Sequence, residues 1–104
     1  MKTTKQTDKT CVSNTMKIIG AKWTVMILRE LCEEKHRFGE IQRALNGISP
    51  RTLSARLREL EQHKIINKKI FKEIPLHVEY SLTPRGQSLK EIIVKMHEWG
   101  AKSA

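Results

Sequence analysis

Apolar residues along this chain recur first at helical spacings, then alternate, then return to helical spacings. Val12, Met16 and Ile19 predict a helix that Gly20 interrupts. Lys22-Trp23 opens a second, with Trp23, Ile27 and Leu31 on one side and Val25, Met26 and Leu28 making it apolar almost all round. Such a helix is central to a core or contacts a second subunit. Glu33 to His36 is a charged connector, and Arg37 to Leu45 is a short helix carrying Phe38, Ile41 and Leu45. Ile48 to Gln62 is the strongest pattern. At about 100° per residue, Leu53, Leu57 and Leu60 form one stripe. Arg51, Ala55, Arg58 and Gln62 fall opposite, flanked by Thr52 and Ser54. The stretch from Ile65 to Lys72 is rich in β-formers, Ile74-Pro75-Leu76 is a turn, and His77 to Leu82 alternates with Val78, Tyr80 and Leu82 on one face. Leu89, Ile92, Ile93, Met96 and Trp99 stripe a last helix that Gly100 is expected to end.

Boundary residues sharpen the central element. Ser49 can cap the free backbone N–H groups, Pro50 suits the first helical position, and Asn46-Gly47 closes the helix before it. Thr83-Pro84 repeats that signature. Two short helices joined by a glycine-containing turn form a helix-turn-helix, whose second helix enters the major groove of DNA with its N-terminal part. The plainer reading is a solvated helix face. Against it, Glu59 and Glu61 are confined to the C-terminal half, while Arg51, Arg56 and Arg58 precede them. The following hairpin carries Lys68, Lys69, Lys72 and His77, which fits a wing against the DNA backbone as well as an ordinary solvated ribbon. The terminal apolar stripes either fold back on the domain or pair with another copy. A small domain offers little surface for both, so a dimer through Val12, Met16, Ile19, Leu89, Ile92, Ile93, Met96 and Trp99 is expected.

The 104 residues suffice for one domain, here 11–104, preceded by a flexible polar tail over 1–10 whose lysines can meet phosphates. A formal charge of +9, from 20 basic against 11 acidic residues, favours a polyanionic partner. No stretch approaches the roughly 18 apolar residues of a membrane span. The start does not read as a signal peptide, so a cytoplasmic location without membrane is expected. Cys11 and Cys32 are too few for a disulfide framework. Cys32 reads as a buried thiol. Cys11 is either an inert half-buried thiol or a sensor of oxidants and electrophiles. The four histidines lie far apart and the five glycines sit at boundaries. No metal site, cofactor or catalytic constellation is expected, so the chain does not read as an enzyme.

These residues together resemble the HxlR-type winged helix-turn-helix regulators of bacteria and archaea. The resemblance rests on Cys11, Ile19-Gly20-Ala21-Lys22-Trp23, Arg37-Phe38-Gly39-Glu40-Ile41 and Gly47-Ile48-Ser49. It continues through Arg56-Leu57-Arg58-Glu59-Leu60-Glu61, Pro75, Val78-Glu79-Tyr80-Ser81-Leu82-Thr83, Gly86 and Trp99-Gly100. It implies a mainly α fold with a small β-hairpin (α+β), with N- and C-terminal helices forming a homodimer. It also implies a role for Cys11, since some members sense oxidants or electrophiles through a cysteine there. Three features depart from the pattern. Ala21 replaces a glycine, and Lys68 stands for the wing arginine, keeping charge but losing the bidentate fork. His63-Lys64 replaces Asp-Gly, removing the residue best suited to left-handed backbone. A strained turn or a different helix end is therefore expected there.

The expected function is regulation of transcription by binding double-stranded DNA on a roughly palindromic site. Ser49, Arg51, Thr52, Ser54, Ala55 and Arg58 would face the bases. Arg37, Arg56, Lys68, Lys69, Lys72 and His77 would hold phosphates, with an internal ion pair the equal alternative for Arg56. An oxidant or small-molecule effector acting on the dimer is compatible with this reading. The competing reading is a winged-helix interaction module that binds protein or RNA.

Overall fold

Helix α4 spans Pro50–Gln62 and shows why the sequence folds as it does. Ser49 is extended (ψ 154°) and its Oγ accepts the Thr52 N–H at 3.1 Å, satisfying one of the helix's free donors. Leu53, Leu57 and Leu60 are buried, each contributing about 1.5–3 kcal/mol by leaving water. The computed structural model describes residues 2–34 and 36–103, residues 2–10 as backbone only.

Around α4 the order is α1 (Lys2–Ile19), α2 (Thr24–Cys32), α3 (Phe38–Ala44), then β1 (Ile66–Phe71), β2 (His77–Leu82) and α5 (Pro84–Ser103). The core joins Ile27, Leu28 and Leu31 of α2, Ile41 of α3, the three α4 leucines, Ile65, Ile66, Tyr80 and Ile93. This is a winged helix-turn-helix, mainly helical with one two-stranded hairpin. The strands pair antiparallel from Ile66↔Leu82 to Phe71↔His77. Arg37 adds a single bridge to Glu79, and the Tyr80 N–H donates to the His36 carbonyl at 2.8 Å. The sheet is thereby tied to the start of α3.

The junction of α4, β1 and α5 is tightly built. The Lys64 N–H donates to the Glu61 carbonyl and the Ile65 N–H to the Leu60 carbonyl, both at 2.9 Å. Lys64 lies in the left-handed region at φ 62°. These two bonds make a Schellman closure, with Ile65 and Leu60 supplying its apolar contact. The expected strain at His63-Lys64 is therefore present, and the helix keeps its usual ending. Thr83 Oγ1 donates to the Lys64 carbonyl at 2.6 Å and accepts the Gly86 N–H at 3.0 Å. A Cβ on Gly86 would run into the Ile65 carbonyl oxygen, so only glycine lets α5 approach this closely.

Four details differ from the sequence reading. The backbone of α1 is helical from Lys2, where a tail up to Thr10 was expected. Helix α5 runs through Gly100 to Ser103, because that glycine does not take the left-handed φ that would end the helix. Cys32 is half-buried where a buried thiol was expected, since it lines an open cleft between α2 and α5. Ile19 and Ile93, expected at a dimer contact, are 8% and 2% exposed and belong to the chain's own core. Their place on the apolar stripe is real, but α1 and α5 spend that edge on this domain.

Candidate nucleic-acid interface

The leucine backing of α4 leaves Arg51, Ser54 and Arg58 exposed, with Thr52 and Ala55 partly covered beside them. Among the described residues, neither Arg51 nor Arg58 has a carboxylate partner within ion-pair distance. Their guanidinium groups are free to meet an external acceptor. Ser49 is exposed, but its hydroxyl is engaged: it accepts the Thr52 N–H and donates to Thr52 Oγ1 at 3.0 Å. Thr52 keeps its own hydroxyl hydrogen for an outside partner. Arg56, only 28% exposed, pairs with Glu59 at 2.7 Å. The internal alternative expected for it is the one observed.

The wing distributes its charges unevenly. Lys68, Lys69 and Lys72 are exposed, and Lys69 Nζ lies 4.9 Å from the centre of the Phe71 ring. That ring stacks on His77, with centroids 4.6 Å apart and planes 10° from parallel. His77 Nε2 sits 3.2 Å from Glu79 and Nδ1 3.8 Å from Glu73. Arg37 also faces Glu79, at 3.9 Å. Of the six residues expected to hold phosphates, three lysines are therefore open, whereas Arg37, Arg56 and His77 face the chain's own carboxylates.

Three contributors escaped the sequence reading. Glu79 gathers Arg37 and His77 and pairs in register with Lys69. The two-residue spacing from His77 along a strand was the signal that both side chains share a face. Glu40 Oε1 accepts the backbone N–H groups of Arg37 (2.9 Å) and His36 (3.1 Å), which hold its carboxyl below the ordinary value and fix the start of α3. Arg85 Nη1 donates to the His63 carbonyl at 2.8 Å, bracing the far end of α4. No local pattern marks that contact.

Away from this face, Val12, Met16, Ile92, Met96 and Trp99 are exposed on α1 and α5, Trp99 at 73%. Leu89 is half-buried against the core. Cys11 is a free, exposed thiol on α1. Burial pushes the Cys32 thiol above its ordinary value, partly opposed by Lys90. No helix among the described residues is long and apolar enough to cross a membrane.

The chain is similar to known regulators over nearly its whole length. A model of the HxlR-like helix-turn-helix family matches residues 18–104. The helix-turn-helix-type transcriptional regulator sll1512 of Synechocystis is 41% identical over 90 residues, covering 86% of this chain and 67% of the relative. YdeP of Bacillus subtilis, also a helix-turn-helix-type transcriptional regulator, is 41% identical over 91 residues, covering 88% and 71%. Among solved structures, the redox regulator HypR in its oxidised form superposes with a TM-score of 0.84 at 37% identity, covering 88% and 94%.

Proposed function

The chain belongs to the HxlR-like helix-turn-helix family of transcriptional regulators, and from that premise we propose that it binds a roughly palindromic duplex operator as a homodimer. The observation that carries the reading is the pair Arg51 and Arg58, without a carboxylate partner among the described residues, on the exposed face of a leucine-backed helix. Two such helices would enter successive major grooves about 34–36 Å apart. Arg51 and Arg58 would reach base edges, where arginine binds guanine O6 and N7 with both arms. Thr52 and Ser54 would bond phosphates or bases near the helix start, with Ala55 lying against them. Ser49 acts mainly through Thr52. Lys68, Lys69 and Lys72 would grip phosphates and set register.

The dimer would cover Val12, Met16, Ile92, Met96 and Trp99, apolar side chains that a single chain leaves in water. Cys11 lies on the same helix as Val12 and Met16, and its exposure supports a second input. Oxidation or alkylation there would alter the seam between subunits and hence the spacing of the two recognition helices. The likeness to a redox regulator supports that role.

The test is a mobility-shift titration with fragments selected from the source genome, competed with nonspecific duplex and with RNA. Retention of a defined duplex against both competitors is the expected result. Binding of RNA or protein in its place would replace this reading with that of an interaction module.

A further inference from the structure

The wing is least polar where it reaches furthest. Ile74 is 101% exposed, Leu76 64% and Ile70 51%. Single exposed apolar side chains are ordinary, but three within residues 70–76, at the end of a ribbon, call for a partner. Three exposed lysines, Lys68, Lys69 and Lys72, flank them. The only carboxylate between Lys68 and His77 is Glu73, which lies 3.8 Å from His77 Nδ1. The tip is thus aliphatic with a net positive collar, suited to a polyanion that also offers an apolar interior.

The base of the wing is fixed relative to α4. Ile65 and Ile66 are buried, Lys64 closes the helix, and Thr83 and Arg85 clamp the junction. From Ile66 to Phe71 the strand advances five residues at about 3.3 Å each, close to 17 Å. One duplex turn spans about 34–36 Å. A ribbon of that length, rooted beside a helix in the major groove, is long enough to span about half a turn, the separation of the flanking minor groove.

Resting on the duplex-binding reading above, we propose that Ile74 and Leu76 form an apolar wedge that enters this minor groove and partly unstacks a base step. The lysines hold the phosphates on either side. The wing then selects operators by how readily that step opens, favouring flexible pyrimidine–purine steps over stiff A-tracts. This differs from reading base edges, because aliphatic side chains offer no hydrogen bonds.

The test places 2-aminopurine at the flanking step of a selected operator and compares the full chain with Ile74→Ser/Leu76→Ser. Both side chains are exposed, so the variant keeps its fold, which circular dichroism verifies. The wild-type protein should raise the probe's fluorescence. The variant should not, and should bind about tenfold more weakly with an unchanged salt slope. An A-tract at the step should erase the difference between them. Wild-type binding without a fluorescence rise, or equal signals from both proteins, overturns the wedge and leaves duplex recognition standing. Capture of a protein through the tip, with duplex binding unaltered by the variant, also overturns it. Failure of the wild-type chain to bind any duplex is a different result, and removes the underlying reading as well.

Discussion

The Ile65 N–H donates to the Leu60 carbonyl at 2.9 Å across Lys64, a residue held at φ 62°. A left-handed non-glycine residue costs about 1–3 kcal/mol, whereas glycine adopts it freely at some loss of unfolded-state entropy. Lys64→Gly should therefore stabilise the protein by about 0.5–1 kcal/mol net. Thermal unfolding at fixed protein concentration should show a rise of a few degrees. No rise, or a fall, would mean that the lysine side chain contributes more than its backbone strain costs.

Glu40 predicts a pH dependence. Its folded pKa is lowered, first by the Arg37 N–H and then by the His36 N–H. A lowered folded value means the stabilisation is present above the unfolded carboxylate pKa and is lost as pH falls through the folded one. Glu40→Gln keeps an acceptor for both N–H groups and removes only the charge. The stability gap between wild type and variant should be constant near neutrality and close in the acid range. A gap independent of pH would contradict the assignment.

The two thiols should separate kinetically. Cys11 is exposed, whereas Cys32 is half-buried with its thiol pushed up by desolvation. Since the thiolate is the reactive form, Cys32 should label with a disulfide reagent more slowly than Cys11 at neutral pH. Cys11→Ser should remove the fast phase and Cys32→Ser the slow one. Equal rates would contradict the burial argument.

Exposed and buried members of the terminal stripes should respond differently. Trp99→Glu, at a 73% exposed position, should shift the protein toward monomer in sedimentation and weaken operator binding, while leaving its helical content intact. Ile93→Ala, at a 2% exposed position, should cost about 2–5 kcal/mol of stability in any assembly state. A monomeric wild type would remove the proposed interface.

The elements with strong internal periodicity were legible in sequence. The Ser49-Pro50 start, the Leu53-Leu57-Leu60 backing and the second strand from His77 to Leu82 all fall where the pattern placed them. What escaped depended on contacts between distant segments. The pull of Glu79 on Arg37 spans 42 positions, and the Arg85 brace spans 22, so neither leaves a local trace. Ile19 and Ile93 share spacing with their exposed neighbours, and only packing decides which edge of a stripe a domain keeps for itself. Gly100 illustrates the converse. A glycine ends a helix when it takes left-handed φ itself, and Gly100 keeps helical φ while the helix continues to Ser103.

In the proposed complex the free face of α4 reads bases while the wing lysines grip phosphates. Fluorescence-anisotropy titrations of Arg51→Ala and Lys69→Ala across a salt series and a set of operator variants measure it directly. Arg51→Ala should cost about 1–3 kcal/mol and relax preference at one base position, whereas Lys69→Ala should weaken all sequences alike and reduce the salt slope by about 1. Unchanged affinity and unchanged preference in Arg51→Ala would mean that this face of α4 does not read bases.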